Sequence, residues 1–370
     1  MDAHVPYIDF SLIPGDLKKE ILLEIGRVMR FKNVREHEQY VTGVEKSLAK
    51  YFQTKFGVAV DSGTTALQLS LTALGVGEGD EVIIPTYTYV ATALAVTNLG
   101  AKPVFVDVKM GDLTIDPDLI ESNITSRTKA VVPVHIHGLC CDMDKIRQIC
   151  EKRAIALVED ASQAHGACIN GKKAGSFGMG CFSLHTSKNL GGIGDAGFIA
   201  LNDEDLYRKI QEFLVPDSPT KAALESRRTP CTMDAIQAAI VQKKLAFLDI
   251  VNERKREIAR QYDSFIVDPE MKKPVVLQGT LPVYRDYFIL VDDRDALKAH
   301  LLKEGIETKL GYTPLHLSKM FENFLGSKKD FPVSETIAGM VLLLPSFWGM
   351  TDSQLKQVCA ILQGSKNVRA

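Results

Sequence analysis

The chain has no hydrophobic run that approaches the ~20 residues needed to cross a membrane. It has no excess of one charge either, because 44 Lys and Arg residues stand against 46 Asp and Glu residues. This balance leaves no electrostatic footprint for nucleic acid or an anionic membrane. The N-terminus lacks a basic segment followed by an apolar one, so no signal peptide is apparent. We therefore expect a cytoplasmic protein whose ligands are small molecules.

Cysteines are few and follow no pattern. The chain has seven, an odd number; Cys140 and Cys141 are adjacent and the others are scattered. This distribution gives neither a disulfide framework nor the spacing of zinc ligands, and we expect no metal. Cys168, Cys181 and Cys231 lie near the residues considered below, but we interpret each as a small buried hydrophobe and assign it no chemistry.

Short β-rich runs alternate with helical segments over the first part of the chain. Several runs have no polar alternation, as expected of strands covered on both faces. Helices are predicted at Thr64–Leu74, Val90–Leu99 and Met143–Arg153. The pattern predicts an α/β fold with a mainly parallel sheet of about seven strands flanked by helices. The predicted strands are Phe56–Val60, Val82–Ile84, Pro103–Val106, Val131–Val134, Ile155–Val158, Cys181–Leu184 and Phe198–Leu201.

Beyond Asp205 the pattern changes to long, charged helices. One helix is predicted over Met233–Tyr262, where apolar residues recur at helical spacing, and we interpret it as the bridge to a second domain. A strand at Tyr287–Val291 and helices at Arg294–Glu304 and Asp352–Leu362 then predict a smaller α+β unit. A chain of this length favours one large and one smaller domain. We predict a large α/β domain, with the N-terminal segment, over residues 1–245 and the linking helix and small domain over 246–370.

Lys188 lies where a backbone can approach a ligand closely. It follows the apolar run Phe182–Leu184 and precedes the glycine-rich loop Gly191–Gly197. Most lysines are solvated surface charges, but these neighbours predict burial, and an unpaired buried ammonium is costly. Forming an imine removes that cost, and burial lowers the pKa of a lysine toward the range in which the amine is nucleophilic.

Asp160 follows the buried-type strand Ile155–Val158, at the strand end where open α/β sheets gather ligands. Considered alone, it could equally cap the helix that follows. A lysine that traps an aldehyde and an acid for a pyridinium nitrogen are the two protein groups that pyridoxal phosphate (PLP) chemistry needs. Gln163, one helical turn further along, could hydrogen-bond the phenolic oxygen of the same ring.

The sequence Ser62-Gly63-Thr64-Thr65 follows a predicted strand and opens a helix. Its backbone N–H groups and the helix dipole would form an anion cradle, although the same residues also serve as an ordinary N-cap. The hydroxyls of Thr64 and Ser183 would complete a phosphate cup.

Two tyrosines and three histidines lie near the proposed site. Either Tyr87 or Tyr89 could stack on an aromatic cofactor, or both could pack in the core. His185, three residues before the lysine, could relay protons or pack on the ring. His135 and His137 are interpreted as structural residues at a strand end, because isolated histidines without ligand spacing do not make a metal site.

With these residues assembled, the chain resembles the DegT/DnrJ/EryC1/StrS family of sugar aminotransferases, within the PLP enzymes of fold type I related to aspartate aminotransferase. The similarity is nearly continuous from about Val41 to Leu248 and weaker beyond. It rests on Ser62-Gly63-Thr64, Gly79-Asp80-Glu81-Val82-Ile83-Ile84-Pro85, Pro103-Val104-Phe105-Val106-Asp107, Pro133-Val134-His135, Glu159-Asp160-Ala161, Gln163-Ala164-His165-Gly166 and Ser187-Lys188-Asn189-Leu190, in that order.

The resemblance implies a role for each candidate residue. Lys188 would form the Schiff base with PLP and act as general base, Asp160 would pair with the pyridine nitrogen, and Gln163 would contact the phenolic oxygen. Enzymes of this family are homodimers with the active site at the subunit interface. The other cofactor contacts implied are Tyr89, stacked on the ring, and Gly63, Thr64 and Ser183, bound to the phosphate.

The resemblance also implies the reaction. Such enzymes usually move an amino group from glutamate to a keto sugar nucleotide by a ping-pong mechanism, and some act on keto-cyclitols with glutamine as donor. A subgroup that dehydrates sugars has histidine where this chain has Lys188, so the lysine favours transamination. The alternatives are a PLP-dependent elimination, an aminocyclitol-forming enzyme and a non-catalytic PLP-binding regulator.

Two positions depart from the family pattern. The family typically has Asn-Ser-Arg, whose asparagine reaches the partner's cofactor phosphate, where this chain has Pro230-Cys231-Thr232; Arg227 or Arg228 could supply a replacement charge. Arg285 stands where the family commonly has histidine near the substrate, so the substrate class can differ. The segment Pro216–Pro230 is predicted to be a loop and the most mobile region.

Overall fold

The fold is taken from a computed structural model, which describes residues 4–13, 15–214, 231–325 and 330–365. The predicted loop Pro216–Pro230, which contains Arg227 and Arg228, lies outside the described residues. Cys231 and Thr232, which follow it, are described. The helices are α1 Gly15–Val28, α2 Val34–Tyr51, α3 Gly63–Ala73, α4 Val90–Thr97, α5 Met143–Arg153, α6 Glu204–Leu214, α7 Ala235–Leu245, α8 Leu248–Phe265, α9 Arg294–Lys303, α10 Pro332–Met340 and α11 Asp352–Gly364.

Thirteen strands form three sheets in the described residues. The large sheet has the order β1-β9-β8-β5-β4-β2-β3, and the two small ones are β10-β6-β7 and β11-β13-β12. The strands are β1 Phe56–Val60, β2 Glu81–Pro85, β3 Lys102–Val106, β4 Thr128–Val131, β5 Ala156–Asp160, β6 Cys168–Ile169, β7 Lys172–Lys173, β8 Met179–Ser183, β9 Gly197–Leu201, β10 Thr280–Leu281, β11 Tyr287–Leu290, β12 Lys309–Leu310 and β13 Val341–Leu344.

The large sheet confirms the predicted architecture. Only β9 runs antiparallel to its neighbours, β1 and β8, while the other pairs are parallel. Side chains of one strand alternate between two hydrophobic cores, so that Val82 and Ile84 pack on one face and Ile83 on the other. Helices α3 and α4 cover the first face, and α2, α5 and α7 cover the second. Burial on both faces explains why these strands lack polar alternation.

The C-terminal part is an α+β unit, as predicted. Its antiparallel sheet of β11, β13 and β12 packs in a separate hydrophobic core with α8, α9, α10 and α11. Val5 of the N-terminal segment also belongs to this core and pairs with Ile306. The division of the chain at residue 245 stays a prediction.

The single helix predicted over Met233–Tyr262 is wrong, because the chain forms α7 and α8 with a break at Ala246 and Phe247. The Phe247 N–H donates to Lys244 O, three residues back, instead of continuing the four-residue ladder. No proline or glycine marks the break, so the helical periodicity of the sequence continues through it. The strand predicted at Val131–Val134 is also displaced, since β4 ends at Val131.

Candidate active site

The carboxyl ends of the parallel strands deliver the predicted residues to one edge of the large sheet. Asp160 ends β5 opposite Cys181 of the neighbouring strand β8, and Ser183 ends β8. Strand β1 leads into Ser62, and β2 leads toward Tyr89. At this edge lies a cavity of about 380 Å³. All eight predicted site residues line it: Gly63, Thr64, Tyr89, Asp160, Gln163, Ser183, His185 and Lys188.

Lys188 is half-buried in the wall of this cavity. Burial, reinforced by the nearby Arg285 guanidinium, lowers the pKa of Lys188 to about 8, although Asp160 and Asp286 act in the opposite direction. No described residue accepts a hydrogen bond from its Nζ. With a pKa near 8, a minor but substantial fraction of the amine is neutral at physiological pH, and the amine is available to a ligand.

The loop around Lys188 is held from its backbone. The Gln237 side chain forms two hydrogen bonds with Ile193, accepting from its N–H (2.8 Å) and donating to its carbonyl (2.6 Å). A Cβ at Gly192 would lie 2.2 Å from the Gln237 Oε1 atom, so a larger residue there would displace the Gln237 side chain from this contact. Asn189, next to the lysine, donates to Asn252 and to the Val283 carbonyl. These contacts fix the position of the lysine without occupying its amine.

Asp160 is buried and oriented by neighbours that the sequence did not reveal. Thr92 Oγ1 donates to Asp160 Oδ2 (2.8 Å), and the Ser162 N–H donates to Oδ1 (3.2 Å). Both donors hold the carboxyl group in one orientation. The alternative that Asp160 serves only as a helix cap is not supported, because no α-helix of the described residues begins there.

The predicted anion cradle opens α3. Ser62 caps this helix by accepting from the Thr65 N–H (3.1 Å), and Gly63 is its first residue. A Cβ at Gly63 would lie 2.7 Å from Ser183 Cβ, so glycine lets the two segments meet. The Asp61 N–H donates to the Cys231 carbonyl, and Thr232 pairs with Val60. These contacts bring Cys231 and Thr232, which differ from the family's Asn-Ser-Arg pattern, beside this cradle.

The two candidate tyrosines differ in their exposure to solvent. Tyr87 is buried and contacts His137 and the Tyr312 N–H through its hydroxyl, whereas Tyr89 is 56% exposed and lines the cavity. Gln163 is buried; its Oε1 accepts from the His137 N–H (2.8 Å), and its Nε2 donates to the Tyr312 hydroxyl (3.3 Å). Tyr89 is thus the tyrosine available to a ligand.

The histidines also differ. His185 is exposed and contacts the Ser187 hydroxyl through Nδ1 (2.9 Å). His135 is buried against Glu159 and accepts from the Cys141 N–H, which supports its structural interpretation. His137 lies in a short 3₁₀ turn beyond the strand and contacts Asp286 through Nδ1 (3.0 Å). Other cavity residues that the sequence did not indicate as site residues are Thr88, Thr92, Ser162, Ser187, Asp195 and Lys309.

The fold is that of PLP-dependent aminotransferases of fold type I, and the solved structures that resemble the chain are of this class. The Streptomyces venezuelae protein DesV, in complex with a ketimine intermediate, superposes with a TM-score of 0.91 at 34% sequence identity and 98% coverage of both chains. Residues 15–363 match the DegT/DnrJ/EryC1/StrS aminotransferase family. The chain belongs to this family and is an aminotransferase.

Relatives named as transaminases or aminotransferases match nearly the whole chain. A dTDP-3-amino-3,4,6-trideoxy-alpha-D-glucose transaminase of Streptomyces venezuelae is 37% identical, over 92% of this chain and 90% of its own. A UDP-N-acetyl-3-dehydro-alpha-D-glucosamine 3-aminotransferase of Acidithiobacillus ferrooxidans is 35% identical over 97% of both. No helix in the described part of the chain is long and apolar enough to cross a membrane.

Proposed function

We propose that this aminotransferase uses PLP to move an amino group from glutamate or glutamine to a keto-deoxysugar carried on a nucleotide. The relatives named above act on dTDP- and UDP-linked sugars, which supports a nucleotide-linked acceptor. The observation that carries the proposal is a single cavity in which the unpaired amine of Lys188, with its pKa lowered to about 8, meets the Asp160 carboxylate and an anion cradle.

The residues of the cavity fit PLP. The N–H groups at the start of α3, with the Thr64 and Ser183 hydroxyls, suit a phosphate. Asp160, held by Thr92 and Ser162, suits a protonated ring nitrogen. The exposed ring of Tyr89 offers a stacking surface, and Gln163 an amide donor for the phenolic oxygen. We propose these roles for them. When bound, PLP supplies the aldehyde that takes up the amino group and a ring that withdraws electrons.

The protein groups have separate tasks in this reaction. Lys188 would hold the cofactor, and its Nζ, as a free amine, would accept the proton from the donor's Cα. A pKa near 8 suits this task, because the neutral and charged forms of the amine are then both accessible. Asp160 would hold a proton at the ring nitrogen of the bound cofactor. His185, at the exposed side of the cavity, relays protons to solvent.

We also propose that the protein is a cytoplasmic homodimer with active sites shared between subunits. The cradle supports sharing: the described residues around it include no lysine or arginine that contacts Ser62, Thr64 or Ser183. A second subunit would supply that charge. Light scattering should therefore give twice the 40.8 kDa chain mass, and a monomer that retained full PLP affinity would contradict this part of the proposal.

The function is tested by the absorbance spectrum of the protein with PLP, before and after excess glutamate or glutamine. We expect a visible band that disappears with donor, and no such band in Lys188→Ala. A band that persists with every donor would favour the elimination reaction, and product analysis would then identify it. Absence of any band in the wild type would favour the non-catalytic regulator.

A further inference from the structure

One guanidinium lies in the wall of the active-site cavity. Arg285 lines the cavity with Lys188, and only 10% of its side chain is exposed. It is close enough to contribute to the lowered pKa of the lysine. Lys309, the other cation that lines the cavity besides Lys188, is exposed. Arg285 is therefore the permanent positive charge in the interior of the cavity.

The guanidinium is held in one orientation by Asp286. Arg285 Nη1 donates to both carboxylate oxygens, at 2.7 and 2.6 Å. Burial alone would raise the pKa of Asp286, but the guanidinium and the hydrogen bond from His137 outweigh it and hold the pKa well below its usual range. The Tyr7 hydroxyl donates to the same carboxylate. Asp286 thus remains an anion whose position is fixed by three donors.

The backbone at Arg285 is equally constrained. Lys255 Nζ donates to the carbonyls of Tyr284 (3.2 Å) and Arg285 (2.9 Å). Gly138 packs against the same segment, and a Cβ added at Gly138 would lie 2.7 Å from the backbone nitrogen of Arg285. A side chain this strongly positioned is prepared for a ligand of defined geometry.

Nη1 is the only atom of the guanidinium that donates to described residues, which leaves Nε and Nη2 for a ligand. These two nitrogens form a planar fork that matches the two oxygens of a carboxylate. In transamination the α-carboxylate and the amino group share one carbon, so the carboxylate must lie near Lys188, where Arg285 is the interior cation.

We propose that Arg285 binds the α-carboxylate of the amino donor and that Asp286, with Tyr7 and His137, positions it for this role. The inference rests on the proposed function and adds a specificity residue to it. A carboxylate could also come from the donor's side chain or from an acidic sugar acceptor, and the choice of ligands separates these sources.

The test crosses three donors with variants of Arg285, in the absence of any acceptor. Glutamate has both carboxylates, glutamine keeps only the α-carboxylate, and glutamate 1-amide keeps only the side-chain carboxylate. The second-order rate of band loss should fall about 100-fold in Arg285→Gln for glutamate and glutamine. It should fall by less than about 10-fold for the 1-amide, which loses only the influence of the guanidinium on Lys188. Arg285→Lys keeps the charge beside Asp286 but not the fork, and should lose about 10-fold.

Binding gives a readout independent of turnover. α-Methylglutamate carries the α-carboxylate but no Cα proton, so calorimetric titration reports affinity alone. Its dissociation constant should rise about 100-fold in Arg285→Gln. Lys309→Gln, the matched loss of an exposed cation from the same cavity, should change it by less than about threefold. Thermal melting of each variant checks that the fold is intact, and Arg285→Lys serves if Arg285→Gln does not fold.

The outcomes separate this inference from the proposed function. Equal losses for all three donors in Arg285→Gln would overturn the inference, as would unchanged rates in a wild type that does react. A selective loss with the 1-amide alone would assign Arg285 to the side-chain carboxylate and also overturn it. A wild type that reacts with no donor would overturn the proposed function itself, and this inference with it.

Discussion

The loop that carries Lys188 and the helix that carries Lys255 both withdraw a lysine from water. Burial lowers the pKa of Lys188 to about 8 and the pKa of Lys255 to about 7. Lys255 Nζ donates to three backbone carbonyls, those of Tyr284, Arg285 and Ser346, at 2.5 to 3.2 Å. Lys188 Nζ has no such acceptor among the described residues and faces a cavity.

The two lysines show that burial of an amine does not by itself make it available to a ligand. A lowered pKa marks a buried amine in both places, yet only the Lys188 amine lacks an acceptor among the described residues and lines the cavity in which a ligand could reach it. Lys255 uses its three donors to tie α8 to the segment that carries Arg285 and to the segment after β13 at Ser346, which makes it structural. Lys188 is positioned through its backbone, by contacts at Asn189, Gly192 and Ile193, and its amine is spared.

The largest expected difference is in covalent trapping. Protein incubated with PLP and reduced with borohydride should carry the cofactor on the peptide that contains Lys188 and not on the one that contains Lys255. The reason is that the Lys255 amine is already saturated by its three acceptors. Mass spectrometry of the digested protein provides the measurement. Reduced cofactor at a similar level on the Lys255 peptide would contradict the claim that only the Lys188 amine is available.

Substitution of Lys255, in contrast to Lys188, should lower the free energy of unfolding. Lys255→Met leaves three buried carbonyls without their donor, and we expect the free energy of unfolding to fall by about 3 kcal/mol. Lys255→Arg, which keeps charge and donors, should lose less. Urea denaturation of the cofactor-free protein provides the measurement. A Lys255→Met protein as stable as the wild type would show that the carbonyl contacts contribute nothing.

A smaller effect concerns pH. Folding lowers the pKa of Lys188 from 10.5 to about 8, so the unfolded chain binds more protons between these values. Stability contributed through this group is present above pH 10.5 and is lost as the pH falls toward 8. We expect cofactor-free Lys188→Met to be more stable than the wild type by about 3 kcal/mol at pH 7.5, with the gap closing as the pH approaches 10.5. The same denaturation series, repeated across pH, gives the answer; a gap independent of pH would contradict the lowered pKa.

Much of this arrangement could be predicted from local sequence. The glycine loop after Lys188, the strand before Asp160 and the Ser62-Gly63-Thr64 turn are each contiguous in the chain, and each has a recognisable pattern. Because parallel strands share a carboxyl edge, these separate segments were expected to meet, and they line one cavity. The choice of Tyr89 over Tyr87 came only with the family resemblance, since both residues fit the local pattern.

Other features depended on packing between distant segments. Tyr7 and Asp286 are 279 positions apart and meet only because the N-terminal segment packs on the small sheet. The break between α7 and α8 has no glycine or proline to announce it. Lys255 has the sequence environment of a surface residue on a charged helix, and nothing near it in the chain indicates its buried acceptors.

The sequence by itself determined the alternation of strands and helices, the family and the identity of the groups at the strand ends, because these follow from local periodicity and short contiguous motifs. Only the tertiary structure decided which of two desolvated lysines keeps a free amine, and which donors fix the Asp286 carboxylate that orients Arg285. Those outcomes depend on hydrogen-bond partners that come from remote parts of the chain, and a partner's position is set by packing rather than by neighbouring residues.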